Sequence, residues 1–230
     1  MAVQNYTIPV NEIFEVQGGC PLCRMQAMLE EHSLDYVTGA AMMEPDVRIQ
    51  TNAQGFCHDH FTAMQGRVKA LPVALVMESH LKHIKSQLVG ESPAAYKPAK
   101  RPGGESAIGE MLGDCYVCRK IRWALDEMCD TIYRLWKRNE GFRELYTGQD
   151  HLCLRHYDEM MSKASTVLKK QDLASFQAAS HQLTKQYLDT LLGDVSHFCT
   201  MFDYRNTQGN ADWGNSKDSV KRSVEYLKEK

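Results

Sequence analysis

Eight residues of this 230-residue chain have the types and spacing of metal ligands, and they form two sets in the same order. Cys20 and Cys23 make a CxxC knuckle after Gly18-Gly19, and Cys57 and His60 make a CxxH within Gly55-Phe56-Cys57-His58-Asp59-His60. Cys115, Cys118, Cys153 and His156 repeat that order. The first two positions recur at an offset of 95 residues and the last two at 96, so six of the eight cysteines obey one pattern. Zinc favours four soft or borderline ligands in a tetrahedron, and three thiolates with one imidazole form a standard closed set. A CxxC turn converges two sulfurs on one ion. A CxxH in the first turn of a helix puts sulfur and imidazole on one face.

The spacing predicts that each copy closes its own quartet. Cys20, Cys23, Cys57 and His60 would hold one ion, and Cys115, Cys118, Cys153 and His156 a second. The 33 and 34 residues between knuckle and CxxH would then form a helical hairpin that brings the two pairs together. Zinc, two ions per chain, is the expected metal. An iron–sulfur cluster on the same residues, or cycling of the CxxC thiols, is the alternative, because ligand type alone does not choose the metal. A closed set leaves no coordination position for water, which argues for structural rather than hydrolytic zinc. No catalytic residue is assigned, and the chain reads as a binding module rather than an enzyme.

Other candidates are weaker. His58 competes with His60, but the second copy carries Leu154 at the aligned position, which favours His60. His80 and His83 share a helical face and read as a solvated or satisfied pair. Cys129 and Cys199 lack partner spacing and read as buried small hydrophobes. The chain has no glycine-rich phosphate loop and no nucleophile elbow.

The elements that must position these residues are helices, and no stretch alternates as a strand would. A short helix is expected over residues 11–16, with Asn11 as its cap. Pro21 suits the first turn of the next helix, which should run from Cys23 to about Met43. Further helices are expected from Cys57, over Leu71 to Leu88, from Cys115 to about Lys137, through Tyr146, from Cys153 to Leu168, over 171–203 and over 217–230. Residues 91–104, ESPAAYKPAKRPGG, carry three prolines and read as a linker. It would separate a first metal-binding helical unit, 1–90, from a second, 105–230, which includes the long helix and a C-terminal tail. The fold class is thus all-α: a helical bundle of two related, metal-stapled units plus a C-terminal helix. Tyr204, Trp213 and Tyr226 suggest that this tail folds back on the second half.

Composition narrows function further. Hydrophobic residues make up 43% and charged residues 24%, ordinary for a globular domain. A net charge of −2 and pI near 6.5 provide no basic field for nucleic acid or an anionic membrane. No apolar run approaches the ~20 residues that span a bilayer. Without a secretory leader, the cysteines imply a reducing, cytoplasmic setting. The partner expected is a protein or a small molecule.

The combination CPLC-R…GFCxxH, repeated as CxVC-R…LCxxH and followed by FDYRN…WG…SVKRSVEYL, resembles a bacterial family known only as a domain of unknown function. The likeness covers nearly the whole chain. It implies a bacterial, cytoplasmic, metal-binding protein and adds nothing on substrate.

Overall fold

The computed structural model describes residues 6–67, 70–92, 96–99, 104–203 and 212–228. Among these there is no strand. The elements are α1 (Thr7–Glu15), α2 (Pro21–Val37), α3 (Pro45–Gln54), α4 (His58–Gln65), α5 (Ala70–His83), α6 (Ala107–Leu112), α7 (Tyr116–Arg138), α8 (Glu140–Thr147), α9 (Leu154–Val167), α10 (Lys170–Thr200) and α11 (Ser219–Lys228). The all-α reading holds, with local corrections. α1 begins before Asn11, which lies inside it and donates its side-chain amide to the Thr7 carbonyl at 2.9 Å. α2 stops at Val37 rather than Met43, and Ala40–Met43 tightens into a 3₁₀ turn. α6 was not expected; Ser106 caps it by accepting from the Gly109 N–H. α10 runs through Gly193 without a break.

The chain divides into two compact units, but not at residues 91–104. One unit joins Met1–Met25 to Asp126–Lys230, and the other is Gln26–Leu125. The crossings fall within α2 and α7, because a stiff helix can leave one unit and enter another without a flexible linker. Of the expected linker, residues 93–95 and 100–103 lie outside the described residues.

The first unit is built on aromatic rings. Phe14 of α1 stacks on Tyr146 of α8 at 5.6 Å and meets Phe142 edge-on at 5.1 Å. Phe176 of α10 contacts Tyr133, Trp136 and Tyr146, each with ring centroids 5.3 Å apart. The polar ends are satisfied: Tyr146 pairs with Ser180 at 2.8 Å, Tyr133 donates to the Met160 carbonyl at 2.8 Å, and Trp136 donates to Ser175 at 3.2 Å. Phe176 is fully buried, and truncating it leaves three rings facing a void. Phe176→Ala is expected to destabilise this unit by about 3–5 kcal/mol. Denaturant unfolding followed by tryptophan fluorescence measures it, and a change under about 1 kcal/mol would contradict this packing.

The C-terminal segment folds back as expected. α11 packs on α9 and α10, burying Tyr226 beside Tyr187 (5.5 Å) and His151 (5.8 Å). Arg222 secures it with bonds to Asp194 and Asp218, both 2.9 Å. Trp213 meets Phe198 and Phe202, whereas Tyr204 lies outside the described residues.

The second unit closes around Leu34, Val37, Phe56, Met64, Val76 and Val117. Gly55 is required at its turn, because φ 63° with ψ −160° is a backbone region that only glycine visits freely. That conformation lets the Gly55 carbonyl accept from the Tyr116 N–H at 3.0 Å, fastening the approach to Cys57 onto the start of α7.

Candidate metal centres

All four ligand pairs occupy the same place in a helix. Cys57 is the N-cap of α4 and Cys153 of α9, while Cys20 and Cys115 directly precede α2 and α7. The carbonyl of each accepts the first turn's bond, from Phe61, Tyr157, Arg24 and Arg119 respectively. The second ligand of each pair stands three residues on, the spacing at which a helix N-cap and its first turn face each other. The neither-capping sulfurs of Cys57 and Cys153 are thereby free to turn towards the other ligands. Four helix N-termini bring partial positive charge to the sulfurs, which favours thiolate.

The eight residues converge in two sets, and the pairing is exchanged relative to the sequence reading. Cys20 and Cys23 meet Cys153 and His156, and Cys57 and His60 meet Cys115 and Cys118. Each set lies within one compact unit. The reason is helix length. α2 has 17 residues, so it carries the chain about 25 Å from the knuckle and out of its unit, and Cys57 and His60 then lie in the unit where α7 begins, with Cys115 and Cys118. α7, with 23 residues, likewise carries the chain from Cys118 into the unit that holds Cys20.

In the first set the His156 Nδ1 lies 3.6 Å from Cys20, 3.1 Å from Cys23 and 3.2 Å from Cys153, and the Cys23 and Cys153 sulfurs are 3.6 Å apart. In the second the His60 Nδ1 lies 3.1 Å from Cys57, 3.3 Å from Cys115 and 3.5 Å from Cys118, with the Cys57 and Cys118 sulfurs 3.9 Å apart. Zinc bond lengths of about 2.3 Å to sulfur and about 2.05 Å to nitrogen give tetrahedral edges of about 3.6 Å (S···N) and about 3.8 Å (S···S). The donors therefore fit a single tetrahedral ion. They do not fit disulfides, whose sulfurs lie about 2.05 Å apart.

Crowding sets the sulfurs competing for charge. Hydrogen bonds from Cys153 and Cys23 lower Cys20 to about 3. Burial, with Cys115 and Cys57 alongside, pushes Cys118 up to about 12. A dication at the centre would supply the opposite charge that lets all three sulfurs of a set ionise. The imidazoles differ in their outer nitrogen. His60 Nε2 lies 3.3 Å from the Glu30 carboxylate, the kind of outer contact that orients a ligating ring. His156 Nε2 is buried without a hydrogen-bond partner, and the Glu159 carboxylate stands off at 4.0 Å.

A family model matches residues 1–230, the full length of the chain. The chain belongs to DUF6062, a family of unknown function. No curated protein and no solved structure matches it.

In this DUF6062 chain Arg24 and Asp150 join Glu30 in shaping the centres. Arg24 donates to the carbonyls of Ile13, Val16, Gly18 and Gly19 and to the Gln149 side chain, wrapping the knuckle of the first set. Asp150 accepts from the Gly19 N–H at 3.1 Å. The match of Arg24 with Arg119 in the two copies was the available signal for the first; Glu30 and Asp150 carried none. His60 is buried in its set and His58 is exposed outside it. His80 is not solvated: it is buried, meeting Phe56 and Phe61, and burial, followed by His83, lowers its pKa. Cys129 is buried as expected, and burial pushes its thiol up to about 12. Cys199 is exposed, contrary to expectation, because it falls on the outer face of α10.

Proposed function

We propose that this protein is a zinc-stapled helical module with two structural Cys₃His sites, and that it acts through protein partners rather than by catalysis. The observation that carries the metal assignment is the convergence of each donor set, all of whose ligand atoms lie within 4.8 Å of one another, with sulfur–imidazole separations of 3.1–3.6 Å. An iron–sulfur cluster distributes its four protein ligands over two or more irons, so those ligands must stand further apart than four donors on one ion. The same closeness favours zinc over a cluster. All four positions of each site are filled by protein, which supports a structural role.

Two surfaces bear on the partner. A cavity of about 660 Å³ is lined by Leu34, Thr38, Ala63 and Arg67, large enough for a small molecule. Glu31 and Asp35 also line it and both pair with Arg67, so its charged groups are turned on one another rather than towards a ligand. Leu188 and Leu192 on α10 and Val220, Val224 and Leu227 on α11 are exposed at helical spacing, an apolar surface of the kind that partner proteins cover. These faces favour the protein partner. A cytoplasmic setting would keep the thiols reduced and available to the metal.

Elemental analysis and an absorbance spectrum of protein purified without chelator test the assignment. The expected result is two zinc ions per chain and a colourless sample. Iron, or a brown sample, would transfer the assignment to the cluster.

A further inference from the structure

We propose that the Cys57–His60–Cys115–Cys118 site is an oxidative modification site, at which a peroxide joins Cys57 to Cys118 and expels the metal ion. This rests on the metal assignment above and adds which of the two sites yields. An oxidant must reach a sulfur before it can react, so access decides between thiolates of similar chemistry. Cys57 and Cys118 are both half-buried, while Cys115 and His60 beneath them are buried. In the other site only Cys23 is half-buried, and Cys20, Cys153 and His156 are buried. Losing every reachable ligand would leave that site three donors, but this one only two.

The reachable sulfurs are also neighbours. They stand 3.9 Å apart, so forming a bond of about 2.05 Å requires an approach of about 2 Å. Cys23 and Cys153 are closer, at 3.6 Å, but Cys153 is 1% exposed, so peroxide can enter that pair only through Cys23, whereas either sulfur of the Cys57–Cys118 pair can react first. The first knuckle is also held in place by Arg24, which ties the Ile13 carbonyl of α1 and the carbonyls of Val16, Gly18 and Gly19 to Gln149. At the matching position Arg119 instead bonds Asp114, next to its own knuckle, and its side chain is 62% exposed. The first knuckle is therefore clamped by a long side chain from its own helix, whereas at the second the matching arginine is turned outward and the cross-tie that remains is the Tyr116 N–H to the Gly55 carbonyl.

The chemistry balances with hydrogen peroxide as oxidant. One thiolate attacks the O–O bond and becomes a sulfenic acid, releasing hydroxide. The second thiolate attacks that sulfur and displaces another hydroxide. Two thiolates, one peroxide and two protons thus become one disulfide and two waters. The ion leaves because Cys115 and His60 alone cannot complete its coordination.

The test uses the zinc-loaded full chain carrying Cys199→Ser, which removes the exposed bystander thiol. Hydrogen peroxide is added with pyridylazoresorcinol to report released zinc, and disulfides are mapped by mass spectrometry. The expected result is one of two zinc ions released about tenfold faster than the other, together with a Cys57–Cys118 crosslink. Equal release rates, a Cys23–Cys153 crosslink formed first, or oxidation without a crosslink would overturn the proposal while leaving the metal assignment intact. A chain isolated without zinc would overturn both.

Discussion

Replacing Cys20 and Cys153 together by serine is expected to remove one of the two metal ions, whereas replacing Cys20 and Cys57 together removes both. The first pair belongs to one set and the second pair is divided between the two. Had each copy closed its own quartet, the outcomes would be reversed. A site that has lost two of four ligands cannot hold its ion at all, and a site left with three holds it too weakly to survive gel filtration against a chelator that the intact sites withstand. Metal per chain after gel filtration reads it directly. The control is Cys57 with Cys115, which also share a set and should leave one ion in place. If the Cys20/Cys153 variant loses both ions and the Cys20/Cys57 variant keeps one, the exchanged pairing is wrong.

This exchange marks where sequence reading stops. Helix positions were legible because glycine and proline punctuate them and because each ligand pair sits at a helix start; Pro21 opens α2 and Cys57 opens α4 close to where the pattern put them. The members of the two clusters were legible for the same local reason, down to His60 over His58. Pairing was not. Two knuckles and two CxxH pairs of the same chemistry admit two pairings, and nothing within a few residues of either chooses between them. The choice is made by the lengths of α2 and α7, which carry the chain past its nearest partner. Glu30 was invisible for a related reason, since a carboxylate on α2 gains meaning only when α4 turns His60 towards it. Cys199 failed differently: α10 has too mixed an apolar pattern for its buried face to be read from spacing alone.

Removing both ions with a chelator is expected to cost the protein far more than any loss of a cysteine that is not a ligand. Each ion would link distant segments: residues 23 and 153 are 130 apart in sequence, and residues 60 and 115 are 55 apart. Treated as cross-links, loops of these lengths restrict the unfolded chain by about 5 and about 4 kcal/mol respectively. The difference is under about 1 kcal/mol, so loop length does not make one staple dominant. At about 2–4 °C per kcal/mol for a chain of this size, loss of both should lower the melting temperature by more than about 10 °C. Cys129→Ser should instead cost about 1–3 kcal/mol, the penalty for a hydroxyl placed among apolar neighbours, with both ions retained. Cys199→Ser, on an exposed face, should fall within about 0.5 kcal/mol of the parent. Calorimetry with and without chelator, beside the two serine variants, places the three effects on one scale. A chelated protein that gives up both ions and melts as before would show that the helices hold without their staples. Chelation that costs no more than Cys129→Ser would mean that the aromatic core around Phe176 and the apolar cluster around Phe56 dominate the fold.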